Sequence, residues 1–308
     1  MKPRLLITVD TELSNFPDAQ GLWGRVGNED WGLERLLDEF DSLQIAATFF
    51  VDVYGGDARQ AGEQRRAVER IHARGHDVQL HTHPGPAFDP ARPRLRDYSL
   101  AEQQEIVESG CRRMEQWIGE RPVLHRAGDW GADNVTLQAL KRCGMRADFS
   151  ASPWSRDCGI VSDAIVDNGW ARIEGMLCGL GTCYRDRITG RIRRVDLGGA
   201  SFREVREIVA RGIDPLFITL HSFSLLRFNR ARTRFSGDDD YLRRLRSLCV
   251  IARERHGYQS STALEAVQAL EGCADASLPR SALPTSTVLS SGTGILKSIS
   301  GRFMSAVA

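Results

Sequence analysis

Two hydrophobic periods alternate along the chain. Short segments at 5–9, 45–53, 78–80, 123–125, 145–149 and 215–220, compact apolar runs or apolar residues alternating with polar ones, are too short for helices and read as strands. Between them lie stretches with apolar residues at three-and-four spacing. In 31–43 the apolar stripe is Leu33, Leu36, Leu37 and Phe40, and in 60–74 it holds Val68 and Ile71. Further helices are predicted over 99–118, 134–143, 201–211, 238–256 and 262–270, with a short strand near Tyr258. Ser99 followed by Glu102 predicts a capping box at the start of the third helix. Strand followed by helix, repeated, predicts parallel pairing with the helices outside. From 150 to about 199 the helical period fails, and a β-rich excursion with a hairpin near 188–192 is expected.

The chain of 308 residues suffices for one large α/β barrel-like domain or two smaller ones. Beyond Gly272 the composition turns to Ser, Thr, Gly and Pro. This predicts a catalytic unit over 1–271 and a flexible tail over 272–308, in which 295–307 could form a short amphipathic helix.

Charge narrows the partners. Lys and Arg number 41 against 40 Asp and Glu, so no nucleic-acid or membrane-surface footprint follows from net charge. Arginines cluster at 191–194 and 243–246, each interleaved with apolar residues, and read as solvated faces. Seven cysteines without C-x-x-C spacing predict reduced, packed thiols rather than a disulfide framework or a zinc knuckle. An acid, Asp10, interrupts the N-terminus before any signal-length apolar stretch, and no run approaches the roughly 20 apolar residues of a membrane helix. A cytoplasmic protein without membrane insertion is expected.

Polar residues then appear where the strands end: Asp10 with Glu12, His81 with His83, Arg126 to Trp130, Asp148 and His221. Residues two apart in an extended segment project from one face, so His81 and His83 could meet one ion, the alternative being a surface H-x-H without a ligand. Asp10 and Glu12 could equally be capping acids in a turn. Gly128 and Gly131 flank Asp129 and Trp130 and permit a tight loop that brings backbone close to a ligand. Five such clusters at one end of a sheet are what a catalytic site looks like.

The ordered motifs are V-D-T-E at 9–12, A-T-F-F-V at 47–51, G-H-D-V-Q-L-H-T-H-P at 75–84, R-A-G-D-W-G at 126–131, D-F-S at 148–150 and L-H-S at 220–222. In this order the chain resembles the polysaccharide deacetylase family, carbohydrate esterase family four, over roughly residues 4–270, in a variant with D-x-E and H-x-H-P motifs. The resemblance implies an α/β fold of distorted (β/α) barrel type, TIM-like and single-domain. It implies hydrolytic removal of an acetyl group from an amino sugar or related glycoconjugate, with a divalent metal such as Zn2+ as cofactor. Mapped onto this sequence, Asp10 is the general base, Arg126 holds it, and Asp148 orients the acid His221. The metal falls to Glu12, His81 and His83.

Two departures accompany the resemblance. The family's first motif has adjacent acids, where this chain has Thr11 and then Glu12. Its second has histidines four apart, where Gly85 stands and His83 is the nearby partner. The expectation is a site rebuilt on Glu12, His81 and His83.

An amide carbonyl is a poor electrophile, which is why a Lewis-acidic ion, a base kept ionised by a cation and a proton-donating histidine belong together. Trp130 and Trp154 could stack on a sugar face or serve as core. The carbohydrate substrate, on this reading, is a nucleotide-linked, lipid-linked or small glycoside. Three rival readings stand: a metal-independent amidohydrolase acting on a small amide or ureide, a metal-dependent phosphoesterase, and a catalytically inactive carbohydrate-binding protein.

Overall fold

The computed structural model describes residues 2–13, 16–152, 154–165, 168–287, 289 and 292. The strands of its main sheet are β1 (Arg4–Thr11), β2 (Ala47–Asp52), β3 (Asp77–Thr82), β4 (Leu124–Ala127), β5 (Ala147–Asp148), β6 (Asn168–Ile173), β7 (Met176–Leu180), β8 (Leu216–His221), β9 (Gln259–Ser260) and β10 (Arg280–Ser281). Their order is β8-β1-β2-β3-β4-β5-β7-β6-β10, with β9 also on β1. Pairing is parallel from β8 across to β7, as the alternation of strand and helix predicts. The antiparallel β6–β7 hairpin falls within the β-rich excursion expected from 150 to about 199, and β10 pairs antiparallel with β6.

The helices α1 (Leu33–Leu43), α2 (Ala58–Ala73), α3 (Leu100–Ile118), α4 (Asn134–Arg142), α5 (Phe202–Val209), α6 (Asp239–Val250) and α7 (Ala263–Leu270) fall close to the predicted positions. The capping box forms as expected: Ser99 N donates to Glu102 Oε2 at 2.8 Å and Glu102 N donates to Ser99 Oγ at 3.4 Å.

Strand parity sorts the core into two layers. Leu5, Ile7 and Val9 of β1 face outward and pack with Leu33, Leu36 and Phe40 of α1. Leu6 faces inward, into a cluster with Phe50, Leu124, Phe149, Trp170 and Phe217. Ring centroids 5.3 Å (Phe50–Phe149), 5.5 Å (Phe149–Trp170) and 5.6 Å (Trp170–Phe217) apart make an aromatic plug inside the curled sheet. Truncating one such ring to Ala costs about 3–5 kcal/mol. Where β8 approaches the far edge no ladder forms among the described residues, and side chains close the seam. Phe217 N donates to Thr182 Oγ1 at 2.8 Å, and Asp214 N donates to Ser281 Oγ at 3.1 Å.

That seam corrects the expected boundary at 271. Leu278 is buried in the inner cluster, Arg280 and Ser281 pair with Gly169 and Asn168, and Arg185 N donates to Pro284 O at 2.7 Å. Residues 275–287 therefore belong to the barrel. Backbone pairing and one buried leucine hold them, features that a Ser-rich composition conceals. The helix expected over 295–307 lies outside the described residues. All seven cysteines are free thiols.

Candidate active site

The inward parity that carries Leu6 continues along β1 through Thr8 to Asp10. In the neighbouring ladders Asp10 is level with His221 of β8 and with Phe50 of β2, and Asp52 of β2 is level with His81 of β3, which is level with Arg126 of β4. Parallel pairing thus delivers these side chains to the carboxyl end of one barrel, above its aromatic plug.

Arg126 stands on that plug, its guanidinium 4.3 Å from the Phe50 ring centroid. Nη1 donates to Asp10 Oδ1 at 2.6 Å, Nη2 to Thr8 Oγ1 at 2.9 Å and Nε to the Phe149 carbonyl at 3.4 Å. Both partners of the ion pair are buried. Burial alone would push the Asp10 carboxyl up, but Arg126, with His81 and His221, outweighs it and holds Asp10 below its ordinary value.

Glu12, His81 and His83 form the second group, with one ligand atom from each lying within 4.8 Å of the others. His81 Nδ1 lies 2.9 Å from the Arg126 carbonyl and must carry the proton to donate to it. That bond orients the ring and turns Nε2 toward Glu12 Oε2, 3.7 Å away. His83 Nε2 lies 2.6 Å from the same Glu12 oxygen. Burial would lower the His83 pKa, but the Glu12 carboxylate outweighs it and lifts His83 to about 9. One carboxylate and two imidazoles converging, one of them pre-set by an outer hydrogen bond, fit a divalent ion that accepts mixed N/O ligands.

Gly128 makes room for this. A Cβ there would lie 2.5 Å from Nδ1 and Nε2 of His83, so the ring packs directly on backbone. The next two residues, Asp129 (φ 53) and Trp130 (φ 60), both hold left-handed backbone, a strain of about 1–3 kcal/mol each that clusters at functional loops.

A cavity of about 150 Å3 is lined by Asp10, Glu12, His81, His83, Trp130 and His221 among others. A larger one of about 550 Å3 adjoins it, sharing Glu12, His83 and Asp129. The His221 ring stacks on Phe223 with centroids 4.9 Å apart.

Two expectations fail here. Asp148 does not reach His221. It points to the outer face of β5, where Oδ1 accepts from His125 Nδ1 and from Ser150 Oγ at 2.8 Å each, and Oδ2 accepts from Ser150 N at 2.8 Å. His125 Nε2 is 3.1 Å from Thr82 Oγ1, and both Asp148 and His125 are fully buried. Parity is the reason, since Ala147 and Phe149 take the inward positions. The arginines at 191–194 are not a simple solvated face either. Arg194, in the hairpin of Cys183–Arg185 with Ile192–Arg194, folds over the barrel mouth with its guanidinium 3.9 Å from the Trp130 ring centroid. Trp130 is therefore at the site with one face occupied, whereas Trp154, 41% exposed, lines neither cavity.

Asp52 was missed by the sequence reading. It is buried, accepts from His83 N at 3.2 Å and Gln64 Nε2 at 3.1 Å, and its carboxyl is raised, first by burial and further by Glu12. An acid at the inward position after Thr48 and Phe50, in an otherwise apolar strand, was its signal.

Fold and site together define an α/β barrel with a cluster of ionisable side chains at the carboxyl end of its parallel strands. Residues 29–147 match the family model described as polysaccharide deacetylase. A crystal structure described as a polysaccharide deacetylase from Mycobacterium smegmatis superposes with a TM-score of 0.56 at 15% identity, covering 91% of this chain and 94% of that one. A family 4 carbohydrate esterase from Streptomyces lividans in complex with acetate is 13% identical (92% and 98% covered, TM-score 0.45). A family 4 pseudoenzyme from Bacillus anthracis is 14% identical (86% and 66%, TM-score 0.47). No curated protein matches the chain. Among the described residues no helix is long and apolar enough to cross a membrane.

Proposed function

We propose that this protein is a metal-dependent deacetylase of amino sugars or related glycoconjugates. The observation that carries the reading is that Asp10, ion-paired to Arg126, the Glu12–His81–His83 group and His221 border one cavity at the carboxyl end of the barrel. Glu12, His81 and His83 would hold the ion. When bound, a zinc-type ion polarises an acyl carbonyl and makes water acidic near neutral pH.

The remaining work belongs to side chains. Asp10 is the base that takes a proton from the attacking water, and Arg126 keeps it ionised and aimed by a 2.6 Å bond from Nη1. His221 sits level with Asp10 on the adjacent strand, so base and acid flank the same cavity. It donates a proton to the departing amine nitrogen as the C–N bond breaks, releasing acetate and the free amino sugar. Its ring is held by stacking on Phe223, since no carboxylate among the described residues bonds it.

The test is hydrolysis of N-acetylated amino sugars and their conjugates by metal-stripped and Zn2+-reloaded protein, with metal content measured on the same samples. Activity that appears only on reloading, and is abolished in Asp10→Asn, is the expected result. Full activity under chelator would overturn the metal-dependent reading in favour of a metal-independent amidohydrolase. Inactivity of the reloaded protein on every acetylated sugar would overturn the deacetylase assignment.

A further inference from the structure

The larger cavity beside the Glu12–His83 pair carries a cation that the mechanism does not use. A hairpin of Leu226–Phe228 with Phe235–Gly237 is closed by the turn N-R-A-R-T-R at 229–234. Asn229 ties the turn, its Oδ1 accepting from Thr233 N at 2.9 Å and Arg234 N at 3.1 Å, and its carbonyl accepting from Arg232 N at 2.9 Å. Arg232 sits in left-handed backbone (φ 54), and its guanidinium lies 4.3 Å from the Phe16 ring centroid. It lines the cavity of about 550 Å3 together with Glu12, Asp52, His83 and Asp129.

Nη1 of Arg232 is buried and has no hydrogen-bond partner. Leaving a buried donor unmade is costly, and more so when the group is charged. The neighbouring Arg227 shows the ordinary solution, an ion pair with Asp238 at 2.7 Å. Among the described residues Arg230, Arg232 and Arg234 have no such partner, although the chain as a whole is nearly neutral. Of the carboxylates lining the cavity, Glu12 is engaged by His83 and Asp52 by Gln64, and Asp129 forms no ion pair with Arg232 among the described residues. A guanidinium seated over an aromatic ring, lining a substrate-sized cavity and carrying an unmet donor, is suited to take an oxyanion.

We propose that the substrate is an acidic amino-sugar conjugate, whose carboxylate or phosphate is bound by Arg232 beside the acetyl group being removed. This rests on the deacetylase reading above. Arg232 sets specificity, and Arg230 and Arg234 add positive charge on the same turn.

The test compares kcat/KM for N-acetylglucosamine 1-phosphate against N-acetylglucosamine, and for glucuronosyl-N-acetylglucosamine against N,N'-diacetylchitobiose, in wild type and Arg232→Gln. One charge-assisted hydrogen bond predicts a preference of about tenfold or more for at least one acidic substrate. The pair that shows it separates phosphate from carboxylate, and the ratio should collapse toward one in Arg232→Gln. A wild-type ratio near one in both pairs, or a ratio unchanged by the substitution, would overturn the proposal. If no sugar is turned over, the deacetylase reading fails, and calorimetry with glucose 1-phosphate and glucuronate still decides this one. Binding that is weakened about tenfold in Arg232→Gln supports the oxyanion site; absent or equal binding in the two proteins removes it.

Discussion

Gly128→Ala offers the sharpest probe of the proposed metal centre. The torsions of Gly128 are ordinary, so the substitution acts through space alone. The added methyl would lie 2.5 Å from both ring nitrogens of His83, where carbon and aromatic atoms need about 3.5 Å or more. One side must yield by about 1 Å. The loop cannot retreat freely, because Ala127 N donates to Ser150 Oγ at 2.8 Å and Gly131 N to the Gly128 carbonyl at 2.9 Å. His83 therefore moves, and ligand distances tolerate only about ±0.2 Å. Displacing one of three ligands should weaken the metal by at least the 10–100-fold typical of disturbed supporting shells, about 1.4–2.8 kcal/mol. The assay is zinc retention against a competing chelator, with circular dichroism as a check on folding. A folded Gly128→Ala protein that keeps wild-type zinc affinity would refute His83 as a ligand.

Other outcomes follow from the same geometry. His81→Ala and His83→Ala should each lose metal on dialysis, whereas His221→Ala should keep it and lose about 10²–10⁴-fold in turnover; metal loss in the last variant would make His221 a ligand. Arg126→Met leaves Asp10 buried without its cation and should cost about 3–5 kcal/mol in urea unfolding, a reading contradicted by a loss below about 1 kcal/mol. Asp148→Asn should lower stability through His125 and Ser150 without the loss of turnover expected of His221→Ala; a loss of that size would restore the coupling of those two residues. Truncation after Thr287 should leave the melting temperature nearly unchanged, whereas truncation after Gly272 removes β10 and Leu278 and should lower it measurably.

The strands and their terminal polar residues were legible because a buried parallel strand writes itself as an uninterrupted apolar run, and because Asp10, His81 and His221 each end one. What stayed hidden depends on direction. The run at 145–149 shrinks to the two-residue β5, too short for its parity to be read, so Asp148 could be placed at the right height but not on the right face. Asp52 was overlooked because it prolongs an apolar run instead of following a motif. The hairpin that lays Arg194 over Trp130, and the seam made by Thr182 and Ser281, depend on contacts distant in sequence that no local period records.

The two departures from the family pattern share one physical cause. β1 stays in its ladder as far as Thr11, which pairs with Val51, is fully buried, and takes the parity opposite to Asp10. An acid at position 11 would therefore face the packed outer layer, and the next inward position is 12. β3 likewise runs to Thr82, which sits on the outer face near His125, so its next inward position is 83. Histidines four apart would put the second at Gly85, beyond Pro84 and outside the strand. With both strands extended by this amount, i and i+2 spacing on each is the arrangement that turns two acids and two imidazoles toward one another. Glu rather than Asp at 12 supplies the extra methylene that brings its carboxylate to 2.6 Å from His83. The spacing in the two motifs is thus a single geometric choice made twice. Exchanging Thr11 and Glu12 to recreate adjacent acids should abolish metal retention, because it sends the carboxylate to the wrong side of the sheet.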